Sequence, residues 1–264
     1  MENSITEEFV NRFRSYVPGI SLDCVVFGYS QGILKVLLLK YRNAAAWALP
    51  GGFLPADMEM EDAVNDILYM RTGLRNIFLS QYHTFSSMQR GWDINLQSKL
   101  AFLQAKAMWP EAYRPELKAW FNQRFISTAY LALIQADKAS PVPDDLSELC
   151  QWMPVNDLPG LVLDHKEMIE MALQHLKVQI NYMPIGKSLL TDKFTMSDLQ
   201  SLYESIFQKR LDRANFQRKI LKLGILKRHE KLMTGAANKA PYLYSIEEEV
   251  YDQLLKNGIG FSMT

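Results

Sequence analysis

The chain has 264 residues, with 29 Lys and Arg balanced by 29 Asp and Glu, 48% hydrophobic residues and 22% charged ones. Such a composition builds a buried core and excludes general disorder, and the length fits one large domain or two smaller ones. No apolar run approaches the roughly 18 residues of a membrane span, since the densest, Val36 to Leu39, sits between Lys35 and Lys40.

The N-terminal stretch carries Glu2, Glu7 and Glu8 and lacks the apolar centre of a secretory signal. Cys24 and Cys150 each lie among apolar residues and read as buried, reduced thiols, so the chain is expected in the cytoplasm. In chain order, residues 5–16 read as a short helix stopped by Pro18-Gly19. Strands are expected over 21–29 and 33–41 around the turn Ser30-Gln31-Gly32. After the loop Trp47-Ala48-Leu49-Pro50-Gly51-Gly52-Phe53, residues 58–72 are helical, with Ala63, Ile67, Met70 and Leu74 on one face and Gly73 as the stop. Strands follow at 77–85 and 125–136. Between them, residues 91–122 form an aromatic-rich insertion (Trp92, Trp109, Tyr113, Trp120, Phe121), with 99–108 compatible with a helix. The insertion suits a sheet cover, a dimer interface or a pocket wall equally. A strand at 149–154, the turn Asp157-Leu158-Pro159-Gly160 and a helix from 164 or 165 to 180 complete a body expected to span 1–183. A second domain is expected over 184–264. Strands and helices mix without a βαβ period, which gives an α+β class.

The loop–helix unit resembles the Nudix box, G-x5-E-x7-R-E-U-x-E-E-x-G-U, where U is a bulky aliphatic. Gly52, Leu68, Gly73 and Leu74 fall on its scaffold positions. Its charged positions fall on Met58, Asp66, Ile67, Met70 and Arg71. In a Nudix hydrolase the glutamates hold divalent cations, which need oxygen ligands. A thioether, an aliphatic chain and a guanidinium supply none, so no catalysis, no metal and no cofactor are expected. Glu59, Asp62 and Asp66 lie near one helix face and define the alternative, a hydrolase with a displaced metal site acting on a nucleoside diphosphate derivative. The same acids also suit a helix N-terminus in solvent.

The zero net charge hides an asymmetry: residues 205–245 carry ten Lys and Arg against two acids. Their layout is that of a winged helix-turn-helix. Thr195 or Ser197 caps an amphipathic helix built on Leu199, Leu202, Tyr203 and Ile206. Asp212 caps a second helix that buries Phe216, Ile220 and Leu223 and ends at Gly224. Residues 226–230 and 240–245 then alternate as a wing. A recognition helix reads bases with residues near its start, so Arg213, Asn215 and Gln217 are the candidate base contacts. Lys209, Arg210, Arg218, Lys222, Arg228 and Lys239 are the candidate phosphate contacts. Winged helices also dock proteins; the concentrated positive charge favours DNA.

A degenerate Nudix-like α/β/α sandwich followed by a winged helix-turn-helix resembles the NrtR-type, Nudix-related transcriptional regulators. The stretches Leu161-Val162-Leu163-Asp164-His165 and Ser201-Leu202-Tyr203-Glu204-Ser205-Ile206 look closest to the sugar-responsive, arabinose-type branch. The resemblance implies a cytoplasmic, homodimeric repressor or activator on a palindromic operator in double-stranded DNA. Its effector would be a pentose or related sugar, or ADP-ribose. The candidate effector-binding residues are Asp23, Lys40, Arg42, Trp47, Phe53, Arg90, Asp164 and His165. Asp23 is an acid in an apolar strand and needs a partner, either a sugar hydroxyl or an internal one such as Arg90 or Lys40. Trp47 suits stacking on a ligand or a place in the core, and Asp164 suits a helix cap.

Overall fold

The computed structural model describes residues 11, 14–42, 45–88, 115–116, 119–120, 123–182, 188–233 and 240–257. Arg90, Lys239, the proposed 99–108 helix and most of the proposed N-terminal helix lie outside these residues.

The first half is a seven-stranded mixed sheet. Its strands are β1 (Tyr16–Ser30), β2 (Ile33–Tyr41), β3 (Trp47–Ala48), β4 (Gly51–Pro55), β5 (Phe78–Phe85), β6 (Ile126–Gln135) and β7 (Ser147–Pro154). Their path is β3-β2-β1-β6-β5, with β4 added to β1 and β7 to β2. β1 and β6 run parallel, while the other pairs are antiparallel.

Alternation along the central strand sorts the core into two faces. Leu22, Cys24 and Val26 point to helix α1 (Met60–Thr72), which buries Ala63, Val64, Ile67 and Leu68 against them. Val25 and Phe27 point to helix α2 (His165–Tyr182), which supplies Met168, Ala172 and Leu176. One helix on each face makes the α/β/α sandwich. Helix α1 starts with Glu61 and Asp62 and ends with Arg71, a charge order that suits its macrodipole. Gly73 closes it in the left-handed region at φ 72°, donating to the Tyr69 carbonyl at 2.8 Å.

The C-terminal part comprises β8 (Phe194–Thr195), α3 (Met196–Phe207), α4 (Arg213–Lys222), β9 (Leu226–Lys231) and β10 (Tyr242–Ile246), with sheet order β8-β10-β9. This is a winged helix. Thr195 rather than Ser197 is the cap of α3: its hydroxyl accepts from the Asp198 amide, and the Asp198 carboxylate accepts from the Thr195 amide at 2.8 Å. Asp212 caps α4 by accepting from the Asn215 amide at 2.8 Å. The apolar cluster around Val25, Phe27 and α2 continues without a break into Leu199, Leu202, Tyr203, Phe216 and Ile220. The two halves therefore share one core.

Several expectations need correction. Pro18-Gly19 does not stop a helix; β1 already begins at Tyr16, and Gly19 (φ 76°) lies in a register shift where the strand meets β4. The glycine is needed there, since a methyl group on it would stand 3.1 Å from the Arg124 carbonyl. Cys150 is half-buried, although Cys24 is fully buried. Helix α5 (Glu248–Asn257) follows the wing and had no sequence signal recognised as such; its Tyr251 is buried.

Candidate functional site

In the Nudix-box unit, apolar packing occupies two of the glutamate positions, Met58 and Ile67, whereas Met70, expected on the same buried face, is exposed. Ile67 is buried, and Met58 packs against the same cluster. A methyl group at Gly52 would lie 3.0 Å from Ile67 Cδ1, so the side chain closes the space above the glycine. Arg71 turns to the segment before β7, donating to the Val142 carbonyl at 3.3 Å. Glu59 and Asp62 are exposed, and Asp66 stands 4.0 Å from Arg75. Among the described residues, no three His, Cys, Asp or Glu side chains are placed to hold a metal ion.

Two of the candidate effector residues meet. Asp23, from β1, and His165, at the start of α2, are both buried, with Oδ1 and Nε2 3.7 Å apart. The Leu49 amide donates to His165 Nδ1 at 3.0 Å. An amide can only donate, so this nitrogen accepts and the ring proton sits on Nε2, facing Asp23. The other carboxylate oxygen of Asp23 accepts from the Ser127 hydroxyl. Asp23 is thus held by Ser127 and His165; Lys40, one of its expected partners, pairs instead with Glu148 at 2.5 Å. Gly51 closes over the group: a methyl there would stand 2.7 Å from Asp23 Oδ1 and from the Leu22 carbonyl. Burial, reinforced by Asp23, pushes the Tyr82 phenol well above its usual range, so it stays a donor, and its hydroxyl bonds to the Met168 carbonyl at 2.9 Å. Burial acts the same way on the Cys24 thiol, which is inert as a nucleophile.

The other candidates are placed elsewhere. Arg42 donates to the Asp145 carbonyl at 3.3 Å. Trp47 is half-buried, packs against the core, and bonds through its backbone to Gly160 and Val162. Phe53 joins Tyr16, Trp120 and Phe125 in an aromatic group with ring centres 5.2–5.7 Å from its own. Trp120 belongs to the inserted segment, whose end therefore docks on β4. Asp164 offers its carbonyl to the Met168 amide at 3.0 Å, which is the N-cap position of α2. Sequence reasoning missed Ser127 and Tyr82. The signal available for Ser127 was a hydroxyl pair, Ser127-Thr128, opening an otherwise apolar strand.

On the winged helix, α4 buries Phe216 and Ile220 and leaves Arg213, Arg218 and Lys222 exposed, with Gln217 half-buried. Asn215 Oδ1 accepts from Arg218 at 2.8 Å, so these two candidates form one unit. Lys209 lies over the Phe207 ring, and Arg210 pairs with Glu204 at 3.0 Å. Glu204 also accepts from the Leu211 amide at 2.9 Å and from Gln200 at 3.0 Å, fixing the turn between α3 and α4. Gln208, in that turn with φ 56°, donates to Asn156 Oδ1 at 2.5 Å and accepts from Lys177 at 3.3 Å. The first domain thus grips the turn that aims α4. Beside this grip a cleft of about 470 Å³ opens between Gly32, Val155 and Ser201.

Comparison with known proteins agrees with this architecture. The model of the NrtR DNA-binding winged helix domain matches residues 186–246. The ADPR responsive transcriptional repressor NtrR of Acinetobacter baylyi (strain ATCC 33305 / BD413 / ADP1) is 25% identical over 244 residues, covering 89% of this chain and 84% of the relative. The crystal structure of Shewanella oneidensis NrtR is similar with a TM-score of 0.64 at 22% identity, covering 89% of this chain and 96% of that one. The same protein complexed with a 27mer DNA gives 0.62 at 21% identity, covering 88% and 95%. The chain has the two-part architecture of the NrtR-type, Nudix-related transcriptional regulators, a Nudix-fold domain joined to an NrtR winged helix.

Proposed function

We propose that this chain is a ligand-responsive, DNA-binding transcriptional repressor without hydrolase activity. The observation that carries the reading is the exposed basic face of α4, on a winged helix that shares its core with the Nudix-fold domain. An ADP-ribose-type effector is the better choice over a pentose, because the relative that covers most of the chain is named as ADPR responsive. That choice replaces the arabinose-type assignment suggested by residues 161–165 and 201–206.

Effector binding at the Leu49–Gly52 loop would act on His165 through the Leu49 amide, and His165 opens α2. Helix α2 packs on α3 and reaches the recognition turn through Lys177 and Gln208. A ligand that favours one loop conformation would thereby bias the angle of α4. A cytoplasmic homodimer on a palindromic operator completes the proposal, with half-site spacing set by the dimer. Among the described residues no helix is long and apolar enough to cross a membrane.

The test is fluorescence anisotropy on DNA from upstream of the protein's own and neighbouring genes, with wild type and Arg213→Ala. Selective binding is expected, weakened about 5- to 100-fold by Arg213→Ala and shifted by ADP-ribose rather than by pentoses. Equal affinity for all duplexes, with or without ADP-ribose, would sink the reading. Release of AMP from ADP-ribose with Mg²⁺ would revive the hydrolase.

A further inference from the structure

Two lysines or arginines three positions apart on a strand ordinarily project to opposite faces of the sheet. In the wing they do not. Tyr242 pairs with Lys231 and Tyr244 with Arg228, so between these pairs the single Leu243 of β10 opposes two residues of β9. The extra residue makes a β-bulge over His229-Glu230, and a bulge re-aims the side chains on either side of it. Both cations therefore reach the same ring: Arg228 Cζ lies 4.7 Å and Lys231 Nζ 5.3 Å from the centre of Tyr242.

The neighbouring charges are already spoken for. Glu230, between the two cations, binds Lys193 at 2.8 Å, and Lys227 faces Glu247 at 3.9 Å. Among the described residues, no carboxylate pairs with Arg228 or Lys231. Two like charges gathered at one aromatic ring repel each other, and the negative π-cloud of the ring offsets only part of this. An anion placed between them removes the rest. The platform is rigid, because the strands stay paired past it through the Leu232 amide on the Pro241 carbonyl at 2.8 Å.

We propose that Tyr242 is a positioning residue of the DNA interface: with the bulge, it holds Arg228 and Lys231 side by side as a cradle for a backbone phosphate of duplex DNA. Lys231 thereby joins Arg228 as a phosphate contact. The proposal rests on the DNA-binding reading above. Because phosphate contacts are independent of sequence, it can be tested without knowing the operator.

The experiment is anisotropy of a mixed-sequence duplex of about 30 base pairs across a salt series. It uses wild type, Tyr242→Phe, Tyr242→Leu, Arg228→Ala/Lys231→Ala, and that double variant with Tyr242→Leu added. Tyr242→Leu is expected to weaken binding about fivefold to tenfold at low salt, while Tyr242→Phe, which keeps the ring, stays within about twofold. The double variant should flatten the plot of log affinity against log salt by close to two phosphate contacts. Adding Tyr242→Leu to it should change little, a coupling that a merely structural tyrosine would not show.

The inference is overturned if wild type binds and Tyr242→Leu binds equally well. It is equally overturned if Tyr242→Leu weakens the double variant as much as it weakens wild type, or if Tyr242→Phe fails as badly as Tyr242→Leu. Should wild type bind no duplex at any salt, the DNA reading itself falls, and this inference with it.

Discussion

Glu204→Ala should destabilise the protein by about 2–3 kcal/mol. The side chain is largely enclosed and accepts from the Leu211 amide, Gln200 and Arg210. A bond from a part-buried amide to a carboxylate contributes about 1.5–2 kcal/mol, and the Gln200 bond about 1 kcal/mol. Arg210 adds little, because its side chain is 95% exposed and water screens the pair. Glu204→Gln keeps an acceptor for Leu211 and should cost only about 1 kcal/mol.

The sign of the pH effect follows from the bonds. The Leu211 amide, helped by Gln200 and Arg210 and opposed by partial burial, holds the Glu204 carboxyl below its usual range. A depressed folded value means the stabilisation is fully present above the unfolded pKa of about 4.3 and is lost as pH falls through the folded value. Urea unfolding of wild type and both variants at pH 7 and at decreasing pH measures this. The gap between wild type and Glu204→Gln should hold from neutrality to about pH 5 and close below about pH 4. A Glu204→Ala protein within about 0.5 kcal/mol of wild type would refute the role given to this turn. So would a Glu204→Gln gap that stays constant down to about pH 3.

Thr195→Ala removes the hydroxyl that accepts from the Asp198 amide, while the backbone amide of residue 195 still donates to Asp198, and should lower stability by about 1 kcal/mol in thermal melts, with Thr195→Ser nearly neutral. Gly51→Ala forces a methyl group to 2.7 Å from Asp23 Oδ1 and a backbone carbonyl, so a loss of more than about 1 kcal/mol is expected, together with a blunted ADP-ribose response. His165→Ala strips the Leu49 amide of its acceptor and leaves Asp23 facing a void, which should cost about 2–4 kcal/mol by denaturant titration. Because the apolar cluster runs through both halves, heat should unfold them in a single calorimetric transition; two separated peaks would contradict the continuous core.

What was legible in the sequence is what local pattern encodes. Alternation gave β1 and β2, spacing of Ala63 and Ile67 gave α1, and Asp212 and Gly224 marked the ends of α4. The charge block around Arg213 pointed to the basic helix. Long-range choices were not legible. Asp23 had several possible partners, and only the parallel pairing of β1 with β6 brings Ser127, 104 residues away, within bonding distance. Lys40 finds Glu148 rather than Asp23 because β7 adds beside β2. The wing bulge was hidden too, since Arg228 and Lys231 at odd spacing give no hint of a shared ring.

The isoleucine above Gly52 limits what can be placed in this helix. An acid placed at position 67 would not simply become a metal ligand, because Ile67 belongs to the apolar layer that seats α1 on the sheet. A carboxylate introduced there would be desolvated in that layer, so it would stay protonated or loosen the helix. The position that the Nudix-box pattern gives to a carboxylate thus helps to hold the domain together here.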